Sequence, residues 1–593
     1  MGRGHRLQVQ RLQGQRLRGR HVVLLAGLLA IGMTDTLAAT QQSPAMQAYD
    51  RLSAARDQAE AVRKDGKDTP ASRQQAETIL LKALSDTSSP EITSLADGNR
   101  YLRFRSYNIR DDLFSLYVDE GDKAKALDMM AANVAQDPQP IDTVFRSHKA
   151  KALLKDEPRY KDMLAHMDAT ARLWHAKTIA TPYTPQLSEV ERIAGLSLFW
   201  SEAKYNFAHF NNVPQLDWDQ AYLDFLPQVI AASDTRSYYE VLMRFAPLLR
   251  DGHTNIYPPE ALEDNFYARP PLRTALIGGK VLVTFVGSAQ LEKQDIHVGD
   301  EITSIDGVEV KQYAHEHVEP YESSSTAQDR DVRKYTYGLL AGDKDKPVAL
   351  GLDDGHGHRR TVTIARNNYP DRHGPPAFEF RMLPGDVAYL AIDHFESEAS
   401  SKALEDHLPQ IMQAKALILD VRHNGGGSDS YGFKILTHLT EAPIPSAAAY
   451  EQSVSAVARA NGSLGLEWTA LDGSAATYPH ETKPIFRGPV AVLIGAETFS
   501  AGEDFVMSFD ILKRGILVGQ QTGGSTGMPM SFALPGGGSA RICVKWDRYP
   551  DGRELVGRGI TPTIALAPSV ADIRQGKDPV LERARRELLK SRP

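Results

Sequence analysis

The chain has 593 residues, of which 42% are apolar and 24% charged, with a formal net charge of -7 and one cysteine. That length exceeds a single core and accommodates three or four domains of about 100–200 residues each. The negative balance supplies no basic field for nucleic acid, and one cysteine cannot form an internal disulfide.

Residues 1–39 read as an export signal. Arginines crowd the first 20 positions, a short apolar run from Val22 to Met33 follows, and Leu37-Ala38-Ala39 offers a cleavage site. The run is too short to span a bilayer comfortably. The expectation is a periplasmic or secreted bacterial protein, cleaved near Ala38-Ala39, with no stable membrane span afterwards. An uncleaved anchor is the alternative.

Residues 40–180 carry apolar positions at helical spacing, as in AYDRLSAARDQAEAVRK and SRQQAETILLKALSD. LFSLYVDEGDKAKALDMM reads as a helix, a Gly-centred turn and a second helix, and it resembles a tetratricopeptide repeat. Such pairs form interaction surfaces, so a protein partner is one expectation and a plain helical bundle the other. Residues 181–265 are again helical and rich in aromatics, among them Trp200, Tyr205, Phe207, Phe210 and Trp218. An aromatic stripe of this kind predicts core. The segment ends in LLRDGHTNIY, where Asp251-Gly252 break the helix and His253 precedes a strand-like run.

Residues 266–370 turn to β-rich runs: KVLVTFV, IHVGDEITSIDGVEV, KPVALGL and RRTVTIAR. The Gly299-Asp300 turn and the Asp306-Gly307 hairpin resemble a PDZ domain, which binds an extended peptide tail by strand addition. That resemblance puts the tail-binding loop at Ile277, Gly278 and Gly279; a β module that only packs on its neighbours is the alternative. His356 and His358 in DDGHGHRR have metal-compatible spacing, but they read as a polar hairpin turn. No metal and no cofactor is expected.

In residues 371–593 strands and helices alternate. GDVAYLAID, ALILDVR, VAVLIG and GILVGQ are apolar runs, with helical ASSKALEDHLPQIMQ and SAGEDFVMSFDILKR between them. Continuous apolar strands are the pattern of a buried parallel sheet. The fold class is therefore multidomain, α+β and α/β. Cys543, in strand-like SARICVKW, reads as a packing residue, and PGGGSARI around Gly536 to Gly538 as a hairpin.

Three stretches carry chemistry. In LILDVRHNGGGSDS a strand runs into Gly425, Gly426 and Gly427, a loop able to cradle a phosphate or to form an oxyanion hole. In AETFSAGEDF a strand-to-helix turn places Ser500 beside the N–H of Ala501, which suits a nucleophile with its own oxyanion donor. The same serine also reads as a helix cap, with Glu503 completing a capping box. His253 is the residue type that serves a serine as base.

Together these stretches resemble the serine peptidases that include the bacterial C-terminal-processing peptidases and the tricorn core. The resemblance covers residues 187–593, and DGHT, DVRHNGGG, TFSAGE, GQQTGGSTG and GRGITP arrive in the family's order. It implies a ClpP/crotonase-like α/β peptidase core. One design in the family pairs serine with a lysine after the nucleophile; Ser525 holds that position, and no lysine lies between Gly515 and Lys545. The resemblance therefore points to the tricorn-like branch, with Ser500 as nucleophile and His253 as base. Ala501 with Gly425 and Gly426 then form the oxyanion hole. Glu554 is the expected acid that orients the imidazole, with Asp251 as substitute. Relatives place that acid nearer the G-x-G-I phrase, where Val556 stands, and their aspartate after the proline is Thr563 here. His423 is the rival base. The implied function is a serine endopeptidase acting on unstructured polypeptides or protein C-terminal tails, with a homo-oligomer among the expectations. The alternative is an inactive peptide- or lipid-binding member of the fold.

Overall fold

A computed structural model describes residues 44–96, 100–137, 143–174, 178–369, 375–471 and 484–590. The expected export signal over residues 1–39 lies outside them. The described residues form the expected mixture of a helical N-terminal region and several sheets.

Helices fill the first region. Thr69, Asp122 and Ser147 accept backbone N–H groups three residues on and so cap Pro70–Thr87, Lys123–Gln136 and His148–Leu154. The turn in LFSLYVDEGDKAKALDMM is Gly121 at φ 76°, between Arg100–Glu120 and Lys123–Gln136. Ile109, Leu113, Phe114, Met130 and Phe145 close a core of their own. Among the described residues no helix is long and apolar enough to cross a membrane.

The second helical segment, Glu189 onward, packs Phe199, Phe207, Trp218, Tyr239 and Phe245 against Leu534, Ile542 and Cys543 of a hairpin far along the chain, Pro529–Ala533 with Ser539–Cys543. Trp218 stacks on Phe245 at 4.4 Å. Of the aromatic stripe, Tyr205 stays 41% exposed. Each large apolar side chain buried this way contributes about 1.5–3 kcal/mol, which fixes the C-terminal end of the segment, and with it His253, against the hairpin.

Residues 272–364 build an antiparallel sheet in the order Leu272–Ile277, Lys280–Val286, Glu301–Ile305, Val348–Asp353, Arg359–Ile364. Asp306 and Gly307 make the expected tight hairpin with φ of 48° and 83°. Ile277, Gly278 and Gly279, expected as the tail-binding loop, form a two-residue hairpin turn. Ile277 pairs with Lys280, and Gly278 and Gly279 lie at φ 57° and 79°, the conformation that closes adjacent strands.

The largest core surrounds a sheet ordered Ile564–Ala565, Ile516–Gly519, Val490–Ile494, Ala416–Asp420, Val387–Ile392, Phe378–Leu383. All pairings are parallel except the last. Both central strands are buried at every position, as a sheet covered on both faces requires. Leu417 and Leu419 face Phe433, Phe505 and Phe509. Ala416 and Ile418 face Val580, Leu581 and Ala584 of the C-terminal helix. Period-two alternation thus feeds two separate cores. The loops leaving Asp420, Ile494 and Gly519 all emerge at the carboxyl edge of the parallel strands, where α/β sites form.

Candidate functional site

The chain leaves Val490–Ile494 through a turn locked to the neighbouring loop. Thr498 Oγ1 donates to the Val421 carbonyl at 2.7 Å and accepts the Gly495 N–H at 3.0 Å. The Phe499 N–H donates to the Asn424 carbonyl at 2.9 Å. Ser500 then stands at φ 54°, ψ -128°, just before the helix Ala501–Ile511, and its side chain makes no capping bond. A side-chain-bearing residue in that region costs of order 1–3 kcal/mol and persists only where its surroundings over-determine it. The Ser500 oxygen instead lies 2.9 Å from His253 Nε2.

Glu503 does not complete a capping box either. Its fully buried carboxylate accepts the Thr522 hydroxyl and the N–H groups of Gly524 (2.8 Å) and Ser525 (2.7 Å). Burial pushes its pKa up to about 7. Sequence reading missed this role, because the partners lie in another loop.

His253 follows a helix end at which Arg250 turns left-handed, φ 48°. Asp251 Oδ2 accepts the His253 N–H at 3.2 Å and the Thr254 hydroxyl at 2.7 Å, so it holds the loop's backbone and not the imidazole. The ring stacks on Phe499 at 4.8 Å, and its Nδ1 lies 2.8 Å from Ser525 Oγ. His253 is 3% exposed. Burial, then the nearby Arg541 and Arg333, push its pKa well below the ordinary histidine value. The cationic form is the disfavoured one, so the ring stays neutral, and able to accept a proton, into acidic solution.

The glycine loop is braced from below. Arg422 pairs with Asp420 (2.6 Å) and Asp578 (2.7 Å). The Gly425 N–H donates to the Asp393 carbonyl at 3.2 Å and the Gly426 N–H to Asn424 Oδ1 at 3.0 Å. Both groups expected as oxyanion donors are therefore committed within the protein. What Gly426 supplies is proximity: at φ 102°, a Cβ there would meet Ser500 Cβ at 2.6 Å and the Ala501 nitrogen at 3.2 Å. Ala501 opens its helix, where N–H groups have no intrahelical acceptor. Gly426→Ala is expected to slow reaction of Ser500 with a serine-directed probe at least tenfold, because the new methyl displaces the Ser500 turn; labelling kinetics measure it.

The remaining candidates lie elsewhere. Glu554, bridged through its backbone to Arg548, accepts the Trp546 indole N–H at 3.0 Å, and Ser525 occupies the Nδ1 side of His253 in its place. Val556 is buried. Thr563 Oγ1 accepts the Leu517 N–H at 3.2 Å. His423 bonds Glu497 at 3.0 Å. Its side chain is 48% exposed, and the Glu497 carboxylate holds its pKa up. Glu497 also pairs with Arg273 at 2.7 Å. Among the described residues, one buried group, His209, Asp251 and Cys543, brings metal-ligand atoms within 4.8 Å of one another. Those atoms already have protein partners: Cys543 Sγ contacts His209 Nε2 at 3.5 Å, and Asp251 holds the His253 loop. A cavity of about 1120 Å³ is lined by residues that include Arg250, Thr326, Gln521, Glu554 and Gly559.

Residues 386–566 match the model of peptidase family S41. A chloroplastic C-terminal processing peptidase of Tetradesmus obliquus is 23% identical over 302 residues, 49% of this chain and 57% of that protein. The chain thus spans little more than half the length of that relative. Mature CPAF in complex with lactacystin superposes with a TM-score of 0.54 at 15% identity, over 67% of this chain and 97% of that one. Mature CPAF alone gives 0.53 at 16%, over 67% and 96%. At these identities the two structures share a fold with this chain.

Proposed function

We infer, from a chain whose residues 386–566 match peptidase family S41, that the protein is a serine peptidase with Ser500 as nucleophile and His253 as base. The observation that carries this reading is the 2.9 Å contact between Ser500 Oγ and a buried His253 Nε2, at a left-handed turn that denies the serine its capping role. His253 takes the Ser500 proton as the oxygen bonds to the peptide carbonyl carbon. The imidazolium returns that proton to the amine as the C–N bond breaks. Water, deprotonated by the same ring, then releases the acyl group. The Ala501 N–H faces the developing oxyanion; one such donor is worth about 3–4 kcal/mol.

The substrate in this reading is an unstructured polypeptide or a protein C-terminal tail, met outside the cytoplasm after export. The 272–364 sheet would serve as a PDZ-like module and the helices of residues 44–174 as a surface for a protein partner, with self-assembly an open design of the same fold.

A fluorophosphonate probe tests the central reading. The wild-type protein is expected to be labelled and Ser500→Ala to remain unlabelled. An unlabelled wild type would instead favour an inactive peptide- or lipid-binding member. The acid limb of the kcat/KM profile is expected below pH 6.5, since burial lowers the pKa of the His253 imidazolium. A limb at or above pH 6.5 in a titration with an uncharged peptide would contradict that assignment.

A further inference from the structure

We propose that Ser525 is the positioning residue for His253, taking through its hydroxyl the place an acid holds in other serine peptidase sites. The proposal rests on the Ser500–His253 reading and extends it.

Ser525 is completely buried and puts its Oγ 2.8 Å from His253 Nδ1. Its own carbonyl accepts the Ser500 N–H at 3.0 Å. One residue therefore holds both the base and the backbone of the nucleophile. The loop that carries it is tied on two sides. Glu503, on the helix that Ser500 precedes, accepts the N–H groups of Gly524 and Ser525. Thr326 Oγ1 donates to the Gly523 carbonyl at 2.6 Å, and Gln328 Nε2 to the Thr522 carbonyl at 3.0 Å.

The nearby carboxylates are otherwise engaged: Asp251 by the backbone of the histidine loop, Glu503 by residues 522–525, Glu554 by Trp546. With Nδ1–H donating to Ser525 Oγ, the Nε2 lone pair faces the Ser500 hydroxyl, the tautomer that proton abstraction needs. A hydroxyl accepts this bond without bringing a charge, so the imidazolium formed during reaction gains less stabilisation than an acid would give. The expected dependence on Ser525 is thus smaller than the dependence on a triad aspartate, which reaches about 10⁴-fold.

Ser525→Ala is expected to lower kcat on an unstructured fluorogenic peptide by about 10- to 100-fold with KM within about twofold, as loss of a group acting on the base alone should. Ser525→Thr, which restores the hydroxyl, is expected to recover most of the rate. Ser525→Gly supplies the same deletion if the alanine variant unfolds. An Ala or Gly variant with wild-type kcat overturns the proposal and leaves the peptidase reading intact. So does a Thr variant as impaired as Ala at equal melting temperature. The bond is also read without turnover, in ¹⁵N-histidine-labelled protein. Wild type is expected to show a downfield Nδ1 proton for His253 that Ser525→Ala loses, and an unchanged resonance overturns the proposal. An inactive wild type that still shows the resonance fails the peptidase reading alone.

Discussion

Ser500→Ala is expected to lower kcat on an unstructured peptide by about 10⁶-fold and to leave the fold intact. The oxygen is the atom that bonds to the substrate, so no neighbour replaces it; what survives is binding and oxyanion stabilisation, worth about 10³–10⁴-fold over water. Stability is a separate matter, because the hydroxyl makes no capping bond and sits on a backbone at φ 54°. Alanine keeps that strain, whereas Ser500→Gly removes it and is expected to be the more stable of the two by about 1 kcal/mol. Progress curves at high enzyme concentration and thermal melts of the two variants measure both effects. Residual kcat above about 1% of wild type in Ser500→Ala would place the nucleophile elsewhere.

His253→Ala is expected to lower kcat by about 10⁴-fold or more, with KM little changed, since the ring acts on the proton and not on the bound peptide. His423→Ala is the control. Its imidazole is held by Glu497, a carboxylate kept at a pKa of about 2 against burial, first by His423 and then by Arg273. Loss of that ring should leave kcat within a fewfold of wild type. Removing the His253 ring also empties a buried site stacked on Phe499, so a cost of about 1–3 kcal/mol is expected. Circular dichroism and the melting temperature separate that cost from lost chemistry. If His423→Ala is the variant that loses turnover, the bases exchange roles.

The mixed fold was legible because burial writes itself into local pattern. The runs ALILD and VAVLI are short, apolar throughout and flanked by turn residues, the pattern of strands covered on both faces, and both are buried at every position. The Asp306-Gly307 hairpin was legible for a different reason, since few residues tolerate two successive positive φ values. At Gly278-Gly279 the glycines marked a turn, and only the pairing of Ile277 with Lys280 shows it to be a two-residue hairpin. At Glu503 the spacing from Ser500 matched a capping box, but three donors from residues 522–525 compete for its carboxyl oxygens and win, as buried polar atoms need hydrogen-bond partners.

By itself the sequence determined the order of the parts, the alternating α/β core, and the residue types able to do serine chemistry. Each depends on composition, periodicity or a short run of neighbours. It also showed that no lysine stands where Ser525 does. Tertiary structure alone decided which of those residues meet. Ser500 and His253 are 247 positions apart, and they approach to 2.9 Å because an aromatic helical core packs the histidine loop against the hairpin 529–543. The partner of His253 Nδ1 turned from Glu554 to Ser525 for the same reason. Hydrogen-bond partners are chosen by position in space, and a loop's spacing along the chain does not record the direction in which its side chains point.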